Sequence, residues 1–128
     1  MRYAPYWAAQ LAAIVRADFH PKVCNPAILS VWFAFWGEQK FTPQYGEITS
    51  QFDENRSRAI HSICRDLLPD EPERAKNVAE WIDTMTDGYW QNLHLFPNVY
   101  ENASVERSTL DCLSALLPEF ADRLKSEP

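Results

Sequence analysis

Ala75-Lys-Asn-Val-Ala-Glu-Trp-Ile-Asp-Thr-Met-Thr-Asp-Gly-Tyr-Trp-Gln-Asn-Leu-His-Leu95 is the stretch whose reading decides the fold. Val78, Trp81, Ile82, Met85, Tyr89, Trp90 and Leu93 recur in it at steps of three and four, the period of an α-helix. The apolar positions cover more than one side. One side must meet the rest of the chain, and another meets either a cavity or a second copy of the protein. Ahead of it, Asp70-Glu71-Pro72-Glu73 sets three carboxylates at a helix start, where the positive end of the helix dipole favours them. Behind it the helix must stop before Pro97.

Working outward, residues 98–103 read as a loop. Ser104 or Asn102 then caps a last helix carrying Val105, Leu110, Leu113, Leu116, Leu117, Phe120 and Leu124, which Pro118 ends or kinks. The tail 125–128 is expected to fray. Toward the N-terminus, Asn25-Pro26 and Thr42-Pro43 are each a start signal, a cap residue followed by Pro at the first helical position. The second of these opens an amphipathic helix reaching about Leu68 and spanning roughly 40 Å. Its apolar positions are Tyr45, Ile48, Phe52, Ala59, Ile60, Ile63 and Leu67. The first opens a helix from Ala27 to Trp36 that is hydrophobic nearly all round and is expected to be buried on several sides. A strand competes over Leu29 to Trp36, but the cap and the alanines favour helix. The earliest helix runs from Ala4 or Pro5 to Ala17 with a Trp7, Leu11, Ile14, Val15 stripe, and Pro21 breaks the chain after it. The expectation is all-α: five helices in one compact bundle, a single domain over 1–128.

Composition agrees. Only three Gly occur among 128 residues, and 46% of the chain is hydrophobic, with five Trp and seven Phe to fill a core. The net charge of −6 and a pI near 5.0 lack the basic excess that phosphate contacts require, so these helices are not expected to touch DNA. Neither a signal peptide nor a membrane-length apolar run is evident, which makes a soluble cytoplasmic protein the expectation. Cys24, Cys64 and Cys112 are odd in number and form no CxxC pair, so they read as reduced, packed thiols. His20, His61 and His94 stand far apart, and only Gly37, Gly46 and Gly88 are available to a phosphate loop. No metal site, cofactor or catalytic constellation can be assembled, and an enzyme is not expected.

The aromatic residues carry more information. Trp32, Phe33, Phe35 and Trp36 crowd one helix; Trp81, Tyr89 and Trp90 lie on another, with Asp83 and Asp87 between them. They either fill the core or line a cavity suited to a cation, since an ammonium over an indole face gains about 0.5–2 kcal/mol and benefits from a nearby acid. Gly88 costs a helix about 0.5–1 kcal/mol relative to Ala, which either close approach of another helix, within the chain or across a dimer, or a local kink would explain.

Asp87-Gly88-Tyr89-Trp90 inside an apolar helix, followed by a Leu-rich last helix, resembles the C-terminal half of TetR-family transcriptional regulators. Leu11-Ala-Ala-Ile-Val15 leading to Asp18-Phe19, then Trp32-Phe-Ala-Phe-Trp36 ahead of a helix with Arg56-Ser-Arg58, are similar in order to the choline-responsive BetI branch. The resemblance covers about Trp7 to Leu117. It implies an effector-sensing domain whose last two long helices pair with a second copy. It also implies a helix-turn-helix DNA reader that would precede Tyr3, outside this chain. Carried over, it implies an effector site from Trp32, Phe35, Trp36, Trp81, Met85, Tyr89 and Asp83, with choline or a related cationic amine as ligand. The implied dimer interface is Ile82, Asp87, Gly88, Trp90, Leu110, Leu113 and Leu117. Tyr89 and Trp90 are about 100° apart on a helix, so one faces the cavity or core and the other the interface. The alternative is an association module without a ligand that heterodimerises with a full-length regulator.

Overall fold

The computed structural model describes residues 3–125, except the side chains of Tyr45, Gly46, Ile48, Thr49, Ser50 and Phe52. Expectations that rest on those six side chains, including the Tyr45, Ile48 and Phe52 stripe, lie outside the described residues, as does the tail 126–128. The described chain is all-α: α1 (Ala4–Asp18), α2 (Pro26–Glu38), α3 (Pro43–Leu67), α4 (Pro72–Leu95), α5 (Asn102–Leu116), a 3-10 turn (Pro118–Phe120) and a short α6 (Ala121–Lys125). Pro118 therefore ends α5, and the sixth helix is the piece of chain beyond that break. Its Leu124 returns fully to the core.

Each helix buries one face. In α1 that face is Ala4, Ala8, Leu11, Ala12 and Val15. The alanines at steps of four let the neighbouring helices come close, while Trp7 and Ile14 of the expected stripe are only partly buried at its margin. The second half of α3 contributes Ile60, Ile63, Cys64 and Leu67, whereas Ala59 faces solvent. From α4 come Ala75, Val78, Ala79, Ile82 and Leu93, and from α5 Val105, Leu110 and Leu113. Buried hydroxyls on these helices are satisfied locally: Thr109 donates to the Val105 carbonyl and Ser114 to that of Leu110, both at 2.8 Å.

The caps differ from one another. Asn25 Oδ1 accepts from the Ile28 N–H at 3.0 Å, and its amide donates to the Pro21 carbonyl at 2.9 Å, fixing where α2 begins. Thr42 makes no such side-chain bond at the start of α3. At α5 neither expected cap acts: Glu101 is the cap position, and Asn102 is the first helical residue. The Asn102 amide instead donates to the Phe19 and Cys24 carbonyls, both at 2.8 Å, tying α5 to the α1–α2 loop. Arg74 braces the start of α4 against the end of α5 through the Leu116 carbonyl (2.8 Å) and Glu119 (2.7 Å).

The largest departure from expectation is α2. It is apolar all round, yet Leu29 is its one buried residue. Only one of its sides packs on the chain, against α3 and α4. The rest of its aromatic surface packs on itself and on α4: Phe33 meets Trp36 edge-on at 4.9 Å and stacks on His94 at 4.8 Å, while Trp32 and Trp36 lie 6.1 Å apart. Val31 remains more than half exposed.

Candidate functional site

Where α1, α2, α3 and α4 meet, the helices leave a cavity of about 120 Å³. Its lining comes from the end of α1 (Asp18), from α2 (Trp32 and Trp36), from α3 (Asp53 and Arg56) and from α4 (Thr86, Asp87 and Trp90). That is room for a few waters or a compact head group. A wider, more open hollow adjoins it, also bordered by Trp36, Asp53 and Asp87 and continuing past Phe33, Gln39 and Gly88.

Arg56 organises one wall. Its Nε lies 2.9 and 3.0 Å from the two carboxylate oxygens of Asp18, and one Nη adds a 2.6 Å bond. The other Nη bonds Asp83, and a further bond of 3.2 Å reaches the Thr86 hydroxyl. Ser57 donates to the second Asp83 oxygen at 3.0 Å. The guanidinium thus joins α1, α3 and α4 through a fork that Lys could not reproduce. Trp90 is anchored as well, its indole N–H donating to the Asp18 carbonyl at 3.0 Å.

Four carboxylates gather around this one guanidinium. Burial lifts the Asp18 carboxyl above its ordinary range, against the pull of Arg56. Asp53 is raised by burial, with Arg56 opposing and Asp83 adding. Asp87 is pushed up to about 6, first by burial and then by Asp53, with Asp83 and Asp18 adding and Arg56 opposing. Asp18 and Asp83 share Arg56, but among the described residues no cation forms an ion pair with Asp53 or Asp87. No described group of His, Cys, Asp and Glu could hold a metal ion.

Of the residues expected to bind an effector, the structure brings Trp32 and Trp36 to the cavity. Asp83 stands behind it, committed to Arg56 and Ser57. Phe35 borders a shallow groove on the outer side of α2. Trp81 points outward and is 48% exposed, and Met85 is half-buried and off the cavity lining. Tyr89 packs on the core, edge-on to Phe19 at 6.2 Å. Two residues expected at a dimer interface, Asp87 and Trp90, line the cavity instead. Ile82, Leu113 and Leu117 are at most 1% exposed, so the chain's own core has taken them and a second copy could not reach them; Leu110 is also buried. Gly88 is exposed, and a Cβ built there meets nothing within 4 Å, so no helix of this chain presses against it.

The sequence points to Asp18 and Arg56 only as part of the family resemblance, and neither they nor Asp53 and Thr86 are expected from it at the site. Arg56 lies 38 residues from Asp18 and 27 from Asp83, and Asp53, Glu54, Arg56 and Arg58 read locally as balanced surface charge. The one local hint is that Arg56-Ser57 continues the apolar face of α3 with polar residues just before Ile60.

The all-α bundle belongs to a class that the match over most of the chain defines, the C-terminal domains of TetR-type regulators. Within that class, residues 7–118 match the family described as BetI-type transcriptional repressor, C-terminal, and the chain belongs to this family. It is 25% identical over 114 residues to the HTH-type transcriptional regulator BetI of Paraburkholderia phymatum, covering 88% of this chain and 57% of that one. It is 24% identical over 112 residues to the protein of the same name from Burkholderia thailandensis, covering 85% and 55%. With that of Burkholderia mallei it shares 26% identity over 84 residues, or 64% and 41%. These relatives are transcriptional regulators rather than enzymes. The chain spans about half the length of the curated relatives it matches. No solved structure matches it significantly. Among the described residues, no helix is long and apolar enough to cross a membrane.

Proposed function

We propose that this chain is the effector-sensing and homodimerising part of a transcriptional repressor, and that its effector is a small organic cation, choline or a related amine. The observation that carries this reading is the cavity itself, in which the indoles of Trp32, Trp36 and Trp90 stand beside two carboxylates, Asp53 and Asp87, that no described cation pairs. Indole faces attract a cation through their quadrupole, and a weakly hydrated ammonium loses little in entering between them. The carboxylates add an attraction that a neutral ligand cannot use.

Dimerisation in this reading uses the outward faces of α4 and α5. Trp81 and Leu95 stand on the outward side of α4, each about half exposed. On α5, Ser104, Ser108 and Ala115 are exposed small residues. A second copy packed here would cover the two large apolar side chains. DNA reading falls to a helix-turn-helix of the kind the relatives' names state, not to these acidic helices. The effector then acts by binding one arrangement of the dimer better than another, so only its differential affinity matters.

Tryptophan fluorescence during titration with choline tests the sensing half of the proposal. A saturable change that is lost in Trp90→Ala is expected, and its absence with choline and every other small amine would leave an association module without a ligand. Light scattering tests the other half: a dimer at tens of micromolar, converted to monomer by Trp81→Glu, is the expected result.

A further inference from the structure

The charge balance of the cavity asks for more than one positive charge. Asp18, Asp53, Asp83 and Asp87 face a single guanidinium, a net of −3 when all are ionised. Arg56 forms its ion pairs with Asp18 and Asp83 and acts on Asp53 and Asp87 only through its charge at longer range, so those two carboxylates keep no paired cation among the described residues. A monocation placed between the indoles would leave one of those two uncompensated.

The shape agrees with the charge. Trp36, Asp53 and Asp87 border both the inner cavity and the outer hollow, so the two spaces are neighbouring compartments with a common wall. The outer one is about 530 Å³, more than four times the inner volume of about 120 Å³. Its other borders include the apolar ring of Phe33 and the bare backbone of Gly88, where even a Cβ would stand in open space. A compact head group fills the inner compartment alone, whereas a ligand with a short chain behind its head continues into the outer one along Phe33 and over Gly88.

Resting on the cation-binding reading above, we propose that the ligand this site is built for is a linear aliphatic diamine, protonated at both ends. One ammonium lies among Trp32, Trp36 and Trp90. The other lies in the outer hollow, and the two carboxylates on their common border take one ammonium each. The alkyl segment covers Trp36 and Phe33. A carboxylate-bearing zwitterion is disfavoured by the same arithmetic, because the guanidinium among the described lining residues, Arg56, is already bidentate to Asp18.

The test is calorimetric titration of the intact chain at pH 8 with 1,4-diaminobutane, n-butylamine, choline and 1,6-diaminohexane. The diaminobutane is expected to bind at least tenfold more tightly than butylamine, and Asp87→Asn should reduce that ratio to threefold or less. Asp87 is exposed, so this variant folds. Gly88→Leu, whose Cβ also meets nothing, should weaken diaminohexane about tenfold and leave choline within twofold. A ratio of threefold or less in the unmodified protein overturns the proposal. If choline saturates the site while the diamines gain nothing, the diamine assignment falls alone and cation sensing stands. If none of the four amines binds, both fall together.

Discussion

Replacing Asp87 by Asn should make the free protein more stable at neutral pH. The Asp87 carboxyl releases its proton only at about 6 in the folded chain, against an ordinary value of 3.8, because burial and the carboxylates of Asp53, Asp83 and Asp18 oppose its charge, with only Arg56 countering. The folded state therefore holds this proton more tightly than the unfolded state does. Its contribution to stability is intact below pH 3.8 and is lost as pH rises through about 6. At ~1.4 kcal/mol per factor of ten, the gap sets a ceiling of roughly 3 kcal/mol. Solvent reaches Asp87 at the cavity mouth, and screening there reduces the ceiling to about 1 kcal/mol. For a domain of this size, that corresponds to a rise of roughly 3–5 °C in Tm. Differential scanning calorimetry of both proteins from pH 4 to pH 8 gives the measurement. The Asn variant should melt higher at pH 7.5, and the difference should be largely gone at pH 4, where the folded carboxyl is already neutral. A variant that melts at the same temperature or lower at pH 7.5 would refute the claim that like-charge crowding strains this site. Loss of cation binding in the same variant would show that the strain and the affinity have one source.

Three other outcomes follow from the contacts. Arg56→Met leaves the partly buried Asp18 and Asp83 without their shared cation and should cost about 3 kcal/mol in urea denaturation, with Arg56→Lys recovering less than half because it lacks the fork. Asn102→Ala removes both of the Asn102 bonds to the Phe19 and Cys24 carbonyls and should cost about 1–3 kcal/mol by the same assay; no change would mean that solvent replaces both bonds. Burial pushes the Cys24 thiol up to about 11, with Asp18 adding, and the Cys64 thiol to about 12, with Asp83 adding. Native protein at pH 8 should accordingly give at most one fast thiol with Ellman's reagent, and all three only after unfolding.

Most of the helical plan could be seen in the chain because it is encoded locally. Asn25-Pro26, Thr42-Pro43 and Pro72 each open a helix where the steric and capping rules place it, and α1, α3 and α4 end within a residue or two of expectation. Pro118 interrupts the last helix as its ring requires. The site was less legible, because a cavity is defined by which helix faces converge. Trp90 and Tyr89 show this: both are partly buried on α4, yet one borders the cavity beside Asp87 and the other packs on Phe19. The Leu-rich surface of α5 that resembled an interface is consumed by α1, α4 and α6 of the same chain. Hydrophobicity alone does not distinguish a core face from a partner face. The Asp18–Arg56–Asp83 cluster spans three helices, and its only local trace is the pair of polar residues on the apolar face of α3.

The single anchoring leucine of α2 has a consequence for how this protein can change over generations. Trp32 and Trp36 form one wall of the cavity, but the helix that carries them contributes only Leu29 to the buried core. Substitutions on that wall therefore alter what the cavity accepts while leaving the packing that folds the chain almost untouched. Arg56 and Asp18 have no such freedom, since they hold three helices together. Lineages descended from a common ancestor could diverge in their chemical signal through α2 alone, with the opposite, charged wall inherited unchanged.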